Sequence, residues 1–253
     1  MRRTNAVALI ALLAILCAVP HSAVSLPART AAASTGWTTY HHDGTRDGYD
    51  ASAAAFPASG NPTASWTTSL DGDVYAEPLA LNSVVYAATE NNSIYALDEI
   101  TGRALWQWHQ FASQPDPATA AGCGNINPVG ITGTPVIDPA AGIIYAVGLV
   151  AATGGGTKFQ IFAVHTGNGS PVAGFPLDIG QPNPIYQEQR AALALSPAET
   201  MVYVAFGGWA GDCQPYHPLV VGVPVGANLG QAQLVYQPQT AGQGEAGIWG
   251  ASG

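Results

Sequence analysis

Charge is what this chain of 253 residues has least of: Asp, Glu, Lys and Arg make up 9% of it, against 47% hydrophobic residues. That ratio excludes a disordered, self-solvating chain, which needs the opposite balance. It also argues against long surface helices, whose outer faces are normally filled by Lys, Glu and Arg. Basic residues are scarcer still, seven Lys and Arg against 16 Asp and Glu. Setting aside Arg2 and Arg3, which lie in the leader described below, leaves five basic residues and a formal charge of −11. Such a surface repels phosphate backbones, so a nucleic-acid partner is excluded. The sequence also lacks G-x-x-x-x-G-K, H-E-x-x-H, C-x-x-C and G-x-S-x-G, which removes the familiar P-loop, zinc, dithiol and serine-hydrolase anchors. What remains is a β-rich body whose turns are supplied by its 30 Gly and 19 Pro.

Arg2 and Arg3 precede an apolar run from Ala6 to Val19, and small residues follow at Ala23-Val24-Ser25. This is the layout of a secretory signal, expected to span residues 1–25, with residues 26–36 as a flexible spacer. The alternative is an uncleaved anchor, but the apolar run is shorter than the ~20 residues a spanning helix needs. No transmembrane segment is expected after cleavage, and the mature protein is expected outside the cytoplasm, secreted, periplasmic or at the cell surface. Cys17 goes with the leader. Cys123 and Cys213 then remain, each in a Gly-rich loop that looks accessible, and an oxidising compartment with an even count favours their pairing over two free thiols.

Three stretches share one layout of apolar strand, turn and Tyr-containing strand. They run Glu77–Leu81 to Val84–Ala88, Thr134–Ile137 to Ile143–Val147, and Ala192–Leu195 to Met201–Ala205. Tyr86, Tyr145 and Tyr203 are spaced by 59 and 58 residues. A further strand follows each, at Ser93–Leu97, Phe159–Val164 and Leu219–Val223, and a fourth in the first unit at Ala104–Trp108. About four short antiparallel strands per unit is the blade of a β-propeller. An ordinary sandwich is the alternative, but it lacks the regular period.

Within the first unit, Ala96-Leu97-Asp98-Glu99-Ile100-Thr101-Gly102-Arg103-Ala104-Leu105-Trp106 carries Asp, Thr-Gly and Trp at complete spacing. Asp98 is suited to cap the turn, Gly102 to a left-handed backbone position, and Trp106 to lie flat between blades. This run resembles the repeat signature of quinoprotein-type (PQQ-binding-like) propellers, and Trp37 to Tyr49 looks like the strand that often precedes such rings. The second unit keeps the turn glycines but not the Asp or Trp, and the third has lost most of the pattern.

The fold class expected is therefore all-β, a propeller of four-stranded antiparallel blades over residues 37–253, with blades near 64–110, 123–180 and 187–240. A fourth is expected to begin at 245–253, where the sequence stops. Closed rings use four to eight blades, so an incomplete ring is expected, the N-terminal portion of a longer propeller; the alternative is a self-associating half-ring.

Residues just before each innermost strand should ring one mouth of the central channel. The candidates are Glu77, Asn125, Thr132, Arg190, Glu245 and Trp249, arranged to meet a small polar ligand. The plainer expectation pairs Arg190 with Glu77 or Glu245. His41-His42-Asp43 suggests a metal, but neighbouring strand residues face opposite ways, and a polar turn is the simpler reading. The sequons at Asn91 and Asn168 show turn chemistry. The resemblance implies pyrroloquinoline quinone and calcium as possible cofactors. Dehydrogenases of that family place an adjacent Cys pair over the quinone, and this sequence has none. No cofactor, no metal and no catalytic residue are therefore expected. The function expected is a secreted, non-catalytic repeat module that binds a ligand or a protein. The alternative is a quinone-dependent dehydrogenase.

Overall fold

The computed structural model describes residues 36–51, 53, 64–119, 122–180, 182–210 and 216–237. The leader, most of the spacer, Cys213, Glu245 and Trp249 lie outside the described residues. Among those described there is no helix long and apolar enough to cross a membrane.

Among the described residues the secondary structure is β-strand, with a short 3-10 turn at Gly226–Asn228. Strands β1 (Gly36–Trp37), β2 (Leu79–Leu81), β3 (Val84–Ala88), β4 (Ser93–Asp98) and β5 (Ala104–His109) form one sheet in that order. A second sheet runs β6 (Val136–Asp138), β7 (Ile143–Ala151), β8 (Thr157–His165) and β9 (Leu177–Asp178). In the third, β10 (Gln187–Glu188) and β11 (Ala194–Leu195) both pair with β12 (Met201–Gly208), followed by β13 (Leu219–Pro224) and β14 (Gln233–Tyr236). All pairings are antiparallel, and the tyrosines fall opposite the inner strands, Leu79↔Tyr86, Val136↔Tyr145 and Ala194↔Tyr203. These are three propeller blades, and the described residues do not close a ring.

The inner strands begin later than the apolar runs suggest, because proline and neighbouring blades take the first residues. Pro78 and Pro135 have no N–H for a ladder, so β2 and β6 start one residue after them. The Glu77 N–H donates to Thr134 Oγ1 at 3.0 Å. In the third blade the Leu193 N–H donates to the Thr134 carbonyl at 2.9 Å rather than to β12, which breaks that strand into β10 and β11.

Strand β7 is buried along both faces, which removes the in–out alternation of a half-exposed sheet. Ile144, Ala146 and Val150 pack with Leu79, Ile94 and Trp108 of the first blade. Tyr145, Val147 and Leu149 pack with Val202, Val204 and Phe206 of the third. Phe162 stands 5.0 Å from Trp108, and Phe159 meets Phe206 edge-on at 5.3 Å. On β12, by contrast, Met201, Tyr203 and Ala205 are only half-buried, since nothing among the described residues covers that face.

The blades are also keyed by tryptophan. Asp98 Oδ1 accepts from the N–H groups of Ile100 and Thr101 and from the Thr101 hydroxyl, which sets the turn before β5. Trp106 then reaches the second blade, where its indole N–H donates to the Thr166 carbonyl at 3.0 Å. It lies against Gly169, whose φ is +69° and where a Cβ would stand 2.6 Å from the ring. The arrangement repeats one step earlier: Trp66 donates to the Glu99 carbonyl at 2.9 Å and lies against Gly102, φ +68°. Trp106→Ala removes both ring and hydrogen bond, and a stability loss of about 2–4 kcal/mol is expected in urea unfolding. Trp106→Phe keeps most of the ring and should lose only about 1 kcal/mol. Equal losses would place the whole effect in the indole N–H.

The N-terminal segment runs along the inner edges of the blades. Gly36 and Trp37 pair with Leu81 and Ala80 of β2. The Thr38 carbonyl then accepts from the Ile137 N–H of the second blade at 2.8 Å. The Leu193 carbonyl of the third blade takes the Thr39 hydroxyl and, at 2.9 Å, the Arg46 guanidinium. One short strap thus ties three blades at their inner edges. Asp43 caps the turn at Thr45, with no group of three or more His, Cys, Asp or Glu placed to hold a metal among the described residues.

Candidate functional site: a buried acidic mouth

Three segments meet where the chain enters the inner strands. The first is the β3–β4 turn, Thr89 to Asn92, closed by a bond from the Asn92 N–H to the Thr89 carbonyl, with Asn92 at φ +56°. The second is the approach to β6, where the Ile131 N–H donates to the Thr89 carbonyl. The third is the approach to β11, from Gln187 to Ala191.

Glu90 is 2% exposed at this junction. Its Oε2 accepts from the Gly130 N–H at 2.6 Å and the Thr132 hydroxyl at 3.1 Å, while Oε1 has no partner among the described residues. Gly130 lies so close to the Glu90 carbonyl that a side chain there has no room. Glu188, on β10, is also 2% exposed, and neither of its carboxylate oxygens has a partner among the described residues. Burial pushes both carboxyl groups up to about 7, the hydrogen bonds and Arg190 acting against burial at Glu90, and Arg190 at Glu188. The charge of Glu90 raises Glu188 further, so the two sense each other. Asp116 adds to this push on Glu188, and its own carboxyl is raised by burial. Its Oδ1 accepts from the Ala118 N–H at 2.7 Å, and its Oδ2 covers Gly124.

Of the expected mouth residues, Thr132 and Arg190 belong to this cluster. Arg190 acts on Glu90 and Glu188 and lies over the Tyr75 ring at 5.9 Å. Its expected pairing with Glu77 is corrected: the Glu77 carboxylate instead accepts the Trp37 indole N–H and the His41 N–H, which commits it to the N-terminal strap. Asn125 is exposed. Cys123 is buried among Ile126, Val129 and Trp209, where its loop folds inward. Glu90 and Glu188 escape a reading by sequence. Glu90 sits in a Thr-Glu-Asn-Asn-Ser run that reads as a solvated turn, and only the second blade, 40 residues on, buries it. Glu188 carries a weak signal, two residues before Arg190 on the approach to an inner strand.

Strand order, inner-edge strap and tryptophan keys define a protein built of antiparallel β-propeller blades. Residues 45–157 match the family described as outer membrane protein assembly factor BamB, a stretch from the strap through the first blade to the start of β8. Among solved structures, the quinohemoprotein alcohol dehydrogenase from Comamonas testosteroni is 15% identical with a TM-score of 0.45, over 64% of this chain and 21% of that one. BamB from Moraxella catarrhalis is 18% identical with a TM-score of 0.35, over 72% of this chain and 55% of that one. The chain thus spans about a fifth of the dehydrogenase and about half of BamB. No curated protein matches it.

Proposed function

We propose that this chain is a secreted, non-catalytic binding module, the N-terminal part of a longer PQQ-like propeller, which takes a polar ligand or a protein partner at its acidic mouth. The observation that carries the reading is the pair of buried carboxylates with oxygens that find no donor among the described residues, since buried acceptors left unpaired in a folded protein point to something that completes them. Extracytoplasmic placement is supported by the Arg2-Arg3 leader. The family matched by residues 45–157 is described as an outer-membrane assembly factor, which favours a protein-binding role in the same compartment.

Against a quinone cofactor stands the donor set: the sequence has no adjacent cysteines, and the described residues offer no cluster fit for a metal. A dehydrogenase reading draws support from one feature, because carboxyl groups raised to about 7 are suited to general-base work. The test is incubation of the full-length protein with pyrroloquinoline quinone and Ca²⁺. The expected result is no bound chromophore, no thermal shift and no dye-linked oxidation of alcohols or sugars. A bound chromophore with turnover overturns the non-catalytic reading.

A further inference from the structure

We infer that the mouth takes the cationic head of an organic ligand, a guanidinium or primary ammonium, between Glu90 and Glu188. The inference rests on the binding-module reading and names the chemistry of its ligand.

The argument starts from the unpaired atoms. Glu90 Oε1, both Glu188 oxygens and Gln189 Oε1 are buried without partners among the described residues, and Gln189 is itself 3% exposed. The Gln189 amide is fixed by its Nε2 bond to the Ala191 carbonyl at 2.6 Å and rests over Gly133, next to the Thr132 that holds Glu90. Every orphan is an acceptor, so the complement must be a donor.

The surrounding charge has the same sign. Asp73 acts on Glu90 and Asp116 on Glu188, with Arg190 the one cation acting on them among the described residues, so an anion is repelled and a cation drawn in. A bare metal ion is a poor fit, because calcium wants six to eight oxygens gathered at one point. No His, Cys, Asp or Glu cluster among the described residues provides that. A guanidinium instead spreads five N–H donors over a planar fork that bridges separate carboxylates.

The rim extends the specificity. Val74 and Tyr75, exposed by 41% and 48%, follow Asp73, whose carbonyl accepts the Glu90 N–H. Ile185 and Tyr186, exposed by 51% and 37%, lead into Gln187 and Glu188. Two apolar pairs thus adjoin the segments that carry the two carboxylates, and Tyr75 already supports one guanidinium, that of Arg190. A ligand with an apolar body next to its cation answers both features. Both a free arylalkyl guanidine and an arginine set between aromatic residues of a polypeptide have that character.

Calorimetry on the full chain separates the sources. The probes are benzylguanidinium and the blocked peptide acetyl-Phe-Arg-Phe-amide, with the citrulline peptide and CaCl₂ as controls. Both guanidinium probes are expected to bind, about tenfold more tightly at pH 8 than at pH 6, with proton release near neutral pH as the cation draws the carboxyl groups into their ionised form. A peptide stronger than the small probe points to a polypeptide source, and the reverse to a free guanidine; either supports the assignment. Glu188→Gln should weaken both at least tenfold and reduce the proton release. Tyr75→Ala, on the exposed rim, should weaken the peptide about threefold to tenfold with the fold intact by circular dichroism. No binding of either guanidinium at 10 mM, equal binding of the citrulline peptide, or Ca²⁺ displacing the probes from the Glu188 site each overturns the inference. None of these results bears on quinone binding, so the non-catalytic reading stands or falls separately.

Discussion

Raising the pH from 5 to 8 should lower the thermal midpoint of this protein, by on the order of 10 °C. The cause is the carboxyl pair at the mouth. Glu90 and Glu188 sit at about 7 in the folded chain, against a model-compound value of 4.5 once unfolded. Their folded-state affinity for protons is raised, so the stability they contribute is fully present below about 4.5 and is lost as pH rises through about 7. Each pKa unit is worth about 1.4 kcal/mol, which bounds the loss at about 3 kcal/mol for each group. Asp116, also raised by burial, adds to the slope with the same sign. The carboxylates of Asp43, Asp71, Asp98 and Asp178 are held low, chiefly by hydrogen bonds that overcome burial. Their stabilising effect is lost only on acidification below the ordinary aspartate range, outside this window. Glu188→Gln should flatten the slope and raise the midpoint at pH 8, because a neutral amide costs less to bury than a carboxylate. A midpoint that stays level or climbs between pH 5 and 8 would show that the pair is solvated in solution.

How far the sequence foretells this molecule depends on whether the signal is local. The blades are legible because the hairpins are: Tyr86, Tyr145 and Tyr203 recur with their turns, and Asp98, Gly102 and Trp106 lie within nine residues. The low charge has the same origin, since strands such as β7 are covered on both faces and offer few places for Lys or Glu. The outer strands β9 and β14 carry no comparable signal, with Leu177–Asp178 too short to show alternation. The break between β10 and β11 is invisible locally because the Thr134 carbonyl, 59 residues earlier, takes the Leu193 N–H. The mouth fails for the same reason. A glutamate in a polar turn looks solvated until the second blade lays Gly130 and Thr132 over it.

The mature chain should contain no free thiol, and reduction should cost it about 4–5 kcal/mol of stability. The proposed bridge joins Cys123 to Cys213, and the fold supplies an argument that spacing alone does not. The Gly124 N–H donates to the Ala210 carbonyl at 2.8 Å, so the Cys123 loop is tied to a point three residues before Cys213. Cys123 is packed with Trp209, the neighbour of that carbonyl. Gly124, at φ +84°, is closed over by the Asp116 carboxylate, so the loop has little room to move away. Ninety residues separate the two cysteines, and closing a loop of that size removes about 4–5 kcal/mol of unfolded-chain entropy. In a domain of roughly 200 residues this corresponds to a fall of about 10–15 °C in thermal midpoint. The bridge would pin the second blade's approach loop, which packs with Val202, Val204 and Phe206 of β12, to the third blade. Its loss should therefore loosen the third blade first, and amide exchange in β12 and β13 should rise before that in β4. Alkylation in denaturant without reductant is the direct check. Two labelled cysteines per mature chain would remove the bridge, and with it the expected dependence of stability on redox conditions.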